Sequence, residues 1–177
     1  MEWSIPDNFD WRRYRQLSPA EYDWPMVLGP PGECRDEVAK PHPFLSVGSS
    51  QSDIPDDAVI VLNVADNCPR RPDVGDRKHI HLPLSDPFAM SSAAMFVEAV
   101  RIAVVKASHR RSMFVHCMCG MSRSVSTVAT AAAMLRGECV VDVLAEMSEQ
   151  RPEIYPDEAY IILGQWLNEE LPDLGVL

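Results

Sequence analysis

Residues 112–136 read SMFVHCMCGMSRSVSTVATAAAMLR: a short apolar strand, a compact polar turn, and then a helix rich in alanine and valine. A strand this apolar and a helix with so little polar surface both need cover on every side. That requirement points to a layered α/β structure with this segment near its centre. Gly137 stops the helix, since glycine takes the left-handed conformation at a helix end without steric cost.

The flanking sequence keeps the same alternation. Residues 44–48 read as a short strand and 58–64 as a buried one. Residues 79–83 form another strand candidate, which Pro83 is expected to end. Ser91 is placed to cap a helix running to about residue 107. Val140, Val143, Leu144 and Met147 make one helical stripe. Ala159, Ile162, Leu163, Trp166 and Leu167 make a second after Pro156.

The chain has 177 residues, 46% of them hydrophobic, which suits one globular domain with a sizeable core. No apolar run is long enough to cross a bilayer, and the first residues lack the apolar core of a signal peptide. The five cysteines are Cys34, Cys68, Cys117, Cys119 and Cys139, an odd set with no zinc spacing. They are expected to be free thiols in a reducing compartment, which implies a cytoplasmic setting that can extend to the nucleus.

The formal net charge of −10 argues against nucleic acid or an anionic membrane as a partner. Residues 138–177 carry ten acidic side chains and one arginine, whereas residues 41–137 carry eight acids and ten bases. The acidic end is read as a solvated surface. Residues 1–41 hold Trp3, Trp11, Trp24, Tyr14 and Tyr22 among prolines. So many aromatic rings point to a strap packed on the domain, with docking of a partner as the alternative. A domain over 42–172 and a short tail over 173–177 complete the expected organisation.

The turn at 116–124, HCMCGMSRS, carries the chemistry. A turn entering a buried helix aims successive backbone N–H groups into one concavity, beside the positive end of the helix dipole. Met118, Cys119, Gly120, Met121, Ser122 and Arg123 are therefore candidate anion-binding residues. Gly120 lets the backbone turn closely, and the Arg123 guanidinium can hold two phosphoryl oxygens at once. The same field stabilises a thiolate at Cys117, placed beneath a bound phosphate for in-line attack. Ser124 is near enough to donate its hydroxyl to the sulfur. His116 is expected to orient the turn through hydrogen bonds rather than exchange protons.

His-Cys, five residues, then Arg-Ser resembles the signature loop of the cysteine-based protein tyrosine phosphatases. HC-x-x-G-x-SRS before an alanine-rich helix is similar to their dual-specificity branch, in its small, atypical, single-domain form. Arg151-Pro152-Glu153-Ile154-Tyr155-Pro156, with Gln165 and Leu167 beyond, resembles that branch's last loop and helix. Residues 44–48 and 59–64 resemble its opening strands. The likeness spans about 42–172 and leaves the aromatic N-terminus unmatched. It implies a central mixed, mostly parallel sheet flanked by helices, no metal or other cofactor, and hydrolysis of phosphomonoesters. Cys119 departs from the pattern, which usually has alanine or another small or polar residue there.

The resemblance also implies a general acid after the strand preceding the long helix. Asp86, in Pro83-Leu84-Ser85-Asp86-Pro87, holds that place; Asp73 and Asp76 are weaker candidates. Arg70, Arg71, Arg77 and Lys78 read as a solvated basic loop, and Cys68 as a buried inert thiol. Met90, Met95, Met113, Met134 and Met147 read as core filler. The expected substrate is a phosphorylated protein carrying phosphotyrosine, with or without phosphoserine and phosphothreonine. The alternatives are phosphoinositides, RNA 5′-phosphates, or phosphate binding with little turnover.

Overall fold

The computed structural model describes residues 37–172. Its strands are β1 (Ala39–His42), β2 (Leu45–Gly48), β3 (Ile60–Ala65), β4 (Lys78–Leu84) and β5 (Met113–His116). They form one sheet in the order β1-β2-β5-β3-β4. β1 runs antiparallel to β2, and the other neighbouring pairs are parallel. Among the described residues four α-helices flank it: α1 (Ala93–Ser108), α2 (Arg123–Arg136), α3 (Val140–Gln150) and α4 (Glu158–Glu170). This is the mixed, mostly parallel sheet that the resemblance implied.

The period of two along the strands sorts side chains onto the two faces. Ile60, Leu62, Val64, Met113 and Val115 join the main core, together with residues of all four helices. Val61 and Phe114 face the other way, into a smaller cluster with Ala58 and Val74. Among the described residues this second face is covered by Ala58 and by Val74 of a short 3-10 turn at Pro72–Val74, with Val38 and Ile54 packed beside them. Two of the basic residues belong to that cover instead of to a solvated loop. Arg71 is buried, pairs with Asp73 and stacks 5.7 Å over the Phe114 ring. Arg77 Nε donates to Ala58 O at 2.9 Å.

Four details differ from the sequence reading. β1 was not anticipated, because AKPH carries a lysine and a proline; an edge strand tolerates a residue without an N–H. It also lies across the expected domain boundary at residue 42. β4 runs through Pro83 to Leu84 for the same reason, being the opposite edge. Helix α1 starts at Ala93 after a 3-10 turn at Met90–Ser92, so Ser91 does not cap it. The neighbouring Ser92 makes no cap bond either; its hydroxyl accepts the Ser85 N–H at 2.9 Å. Met113 and Met147 are core residues and Met134 packs against the core, but Met90 and Met95 are 57% and 42% exposed. The expected positions of 1–36 and of the tail from 173 lie outside the described residues.

Helix α2 is buried along most of its length and meets α1, α3, α4 and the sheet. α4 crosses it closely at Gly164, where a Cβ would fall 2.2 Å from Thr130 Oγ1. Gln165 of α4 reaches the first turn of α3, its Oε1 accepting the Val140 N–H at 2.9 Å. Tyr160, fully buried, packs edge-on against Phe88 at 4.9 Å and tilted against Phe96 at 5.1 Å. Burying a ring of that size stabilises the fold by roughly 1.5–3 kcal/mol. It also ties α4 to the loop that precedes α1.

Candidate active site

The β5–α2 turn is held from outside through its carbonyl groups. His116 Nδ1 lies 3.1 Å from Cys117 O. Met118 O accepts both the backbone N–H and the hydroxyl of Ser50, each at 2.9 Å. Cys119 O lies 3.5 Å from Arg151 Nη2, and Met121 O accepts the Tyr155 N–H at 2.9 Å. In a trans peptide the N–H points opposite to the C=O. Turning these carbonyls outward therefore directs the N–H groups of Met118, Cys119, Gly120 and Ser122 to the inner side, as an anion cradle requires.

Gly120 makes that turn possible. Its φ is +66°, and a Cβ there would lie 2.5 Å from the Gly48 carbonyl oxygen and 2.8 Å from Arg151 Nη1. Arg151 itself is fully buried and paired with Glu153 at 2.8 Å. Its charge is thus neutralised locally while it braces the loop.

Cys117 sits at the base of the turn, 2% exposed, with its Sγ 3.2 Å from Ser124 Oγ. The hydroxyl can donate to a thiolate at that position. His116 is fully buried, stacks on Phe114 at 5.9 Å, and has its pKa lowered to about 4, chiefly by burial. A neutral imidazole facing a carbonyl must carry its proton on Nδ1 to donate there. This suits a ring that orients the turn.

Arg123 begins α2 and is 4% exposed. Its Nη1 donates to Asp66 Oδ1 at 2.6 Å, to Leu84 O at 3.1 Å and to Asn67 Oδ1 at 3.3 Å. Its Nε lies 3.6 Å from Asp86 Oδ2. Asp66 and Asn67 were missed by the sequence reading. Their signal was position, since they follow the carboxyl end of a central parallel strand, where ligands gather in α/β sheets.

Asp86 is thus brought to the site, 40% exposed, while Asp73 is turned away to pair with Arg71. Partial burial is the main cause raising the Asp86 pKa; Arg123 opposes it, and the charges of Asp157 and Asp66 add to it. A carboxyl group so placed holds its proton longer than an exposed aspartate does, which suits an acid. Cys68 is buried behind the site and its thiol pKa is raised, mainly by burial. Cys68, Cys117 and Cys139 are free thiols, but Cys119 is disulfide-bonded, which corrects the expectation of free cysteines throughout. Among the described residues no His/Cys/Asp/Glu cluster suited to a metal is found.

A buried thiol under a loop of inward N–H groups, an arginine at the helix start and a carboxylic acid across from it define a cysteine-dependent phosphatase type of site. The family model for the dual specificity phosphatase catalytic domain matches residues 53–168, well over half of the chain. The chain belongs to that family. It is 29% identical over 98 residues to dual specificity protein phosphatase Mpk3 of Drosophila melanogaster, covering 55% of this chain and 24% of that protein. It is 33% identical over 135 residues to dual specificity protein phosphatase 1-A of Xenopus laevis, covering 72% of this chain and 36% of that protein. The chain therefore spans about a quarter to a third of these relatives. Human DUSP28 shares the fold, with a TM-score of 0.63 at 20% identity, covering 77% of this chain and 95% of that structure.

Proposed function

We propose that this chain is a protein phosphatase that hydrolyses phosphotyrosine, and phosphoserine or phosphothreonine as well, through a phosphocysteine intermediate. The observation that carries this reading is Cys117 Sγ, 3.2 Å from Ser124 Oγ at the base of a loop with outward-held carbonyls. In the first step the Cys117 thiolate attacks phosphorus and the S–P bond forms as the P–O bond to the leaving group breaks. Asp86 gives its proton to the departing oxygen. In the second step water attacks phosphorus, the S–P bond breaks, and Asp86 takes the water's proton. Arg123 and the loop N–H groups stabilise the charge on the phosphoryl oxygens throughout. Ser124 donates to the sulfur as it departs.

A phosphoprotein substrate is favoured over a phosphoinositide or RNA end by the charges around the site. The loop's variable side chains are Met118, Cys119, Met121 and Ser122, none of them cationic. Arg151 is buried against Glu153, and Asp66, Asp86 and Asp157 surround Arg123 and the acid loop. Further phosphate groups would meet these carboxylates rather than balancing cations.

The test is Cys117→Ser, whose hydroxyl keeps the shape but does not ionise near neutral pH. Turnover of an aryl phosphate is expected to vanish while the fold is kept. Activity within tenfold of the parent would rule out the covalent route. Comparing kcat/KM for phosphotyrosine peptides, phosphoinositides and RNA 5′-triphosphates then decides the substrate class.

A further inference from the structure

The acid loop is fixed at both ends by the first turn of α4. Just before Asp86, Ser85 O accepts the Tyr160 hydroxyl at 2.7 Å. Two residues after it, the Phe88 N–H donates to Asp157 Oδ2 at 3.0 Å, and the Phe88 ring packs edge-on against Tyr160. Asp157 is also the N-cap of α4, its Oδ1 accepting the Ala159 N–H at 2.9 Å. Its own N–H donates to Ser122 Oγ at 3.1 Å, inside the phosphate loop. One aspartate therefore joins the helix, the acid loop and the phosphate loop.

We infer that Asp157 is a positioning residue for the general acid, holding the Asp86 segment over the phosphate loop at the height where a leaving oxygen departs. The inference rests on the reading of Asp86 given above. The two carboxylate bonds use both oxygens of Asp157, so its side chain cannot reorient without releasing either the helix cap or the acid loop. Its negative charge also faces Asp86, along with that of Asp66, while Arg123 opposes them; the Tyr160 hydroxyl, bonded to Ser85 O, is a further titratable group at the loop. A displaced Asp86 would leave attack by Cys117 intact and fail only in proton delivery.

That difference gives the test. kcat/KM is measured for p-nitrophenyl phosphate, a good leaving group, and phenyl phosphate, a poor one, in the parent, D86A, D157A and the double variant. Replacing the side chain keeps the backbone N–H to Ser122, so the phosphate loop is undisturbed. D157A is expected to lower kcat/KM for phenyl phosphate by about tenfold or more and for p-nitrophenyl phosphate by less than about threefold, a fraction of what a lost general acid costs. In the D86A background the same change is expected to cost nothing further. Equal losses for both substrates, or equal losses in both backgrounds, would reduce Asp157 to a helix cap and overturn the inference. A D86A profile without leaving-group dependence would instead overturn the assignment of Asp86 itself. Asp157→Asn, which retains one carbonyl oxygen, keeps the test open if Asp157→Ala fails to fold; it is expected to show the same selectivity at smaller size.

Discussion

Arg123 and Asp66 form an ion pair, Nη1 to Oδ1 at 2.6 Å, with the arginine 4% exposed and the aspartate 47% exposed. The guanidinium proposed to hold phosphoryl oxygens is thus already shared with a carboxylate. A phosphate that takes the same donor competes with Asp66, and the half-exposed aspartate is free to yield.

Asp66→Asn is accordingly expected to tighten inhibition by inorganic phosphate and vanadate. A half-exposed pair is worth roughly 0.5–1 kcal/mol, which corresponds to about a two- to fivefold lower inhibition constant. Inhibition assays at fixed ionic strength check this. Unchanged or weaker inhibition would show that Asp66 assists the site rather than competing with it.

Asp86→Ala is expected to lower kcat by roughly 10²–10⁴, the usual contribution of a placed acid. The sign of the pH effect follows from the raised pKa: as the proposed acid, Asp86 works while protonated, so activity is expected to fall as pH rises through its value. The variant should lose that alkaline limb. Asp66→Asn removes one charge that raises the Asp86 pKa, so it should move the limb toward lower pH. A pH–rate profile of the three proteins reads both effects, and an unshifted limb in Asp86→Ala would move the acid role elsewhere.

His116 makes folding stability depend on acidity. Its folded pKa of about 4 lies below the ordinary 6.5, so burial favours the neutral ring. The neutral ring's contribution is fully present above about pH 6.5 and is lost as pH falls toward 4, by at most about 3 kcal/mol. Urea unfolding of the parent and of His116→Asn at pH 7 and pH 5 isolates this share. The parent should lose more stability on acidification than the variant, and parallel losses would remove His116 from the account.

Parts whose signal is local could be read from the chain alone. The 112–136 run carries its own period, its glycine and its cysteine, so β5, the turn and α2 were legible without any partner. Cys117, Ser124, Gly120 and Arg123 lie within eight residues of one another, and a strand–turn–helix leaves them little choice of arrangement. Asp86 was legible through resemblance and order along the chain. Tertiary structure decided what depends on contacts between distant segments. Asp66 meets Arg123 across 57 positions, and Asp157 meets Phe88 across 69, where no periodicity links them. β1 and the passage of β4 through Pro83 are tolerated because both strands end up as edges, a property of the finished sheet. Arg71 looked like a surface charge until Phe114 and Asp73 enclosed it. A residue's type states which interactions it can make, but burial and charge pairing, which choose among them, belong to the folded chain as a whole.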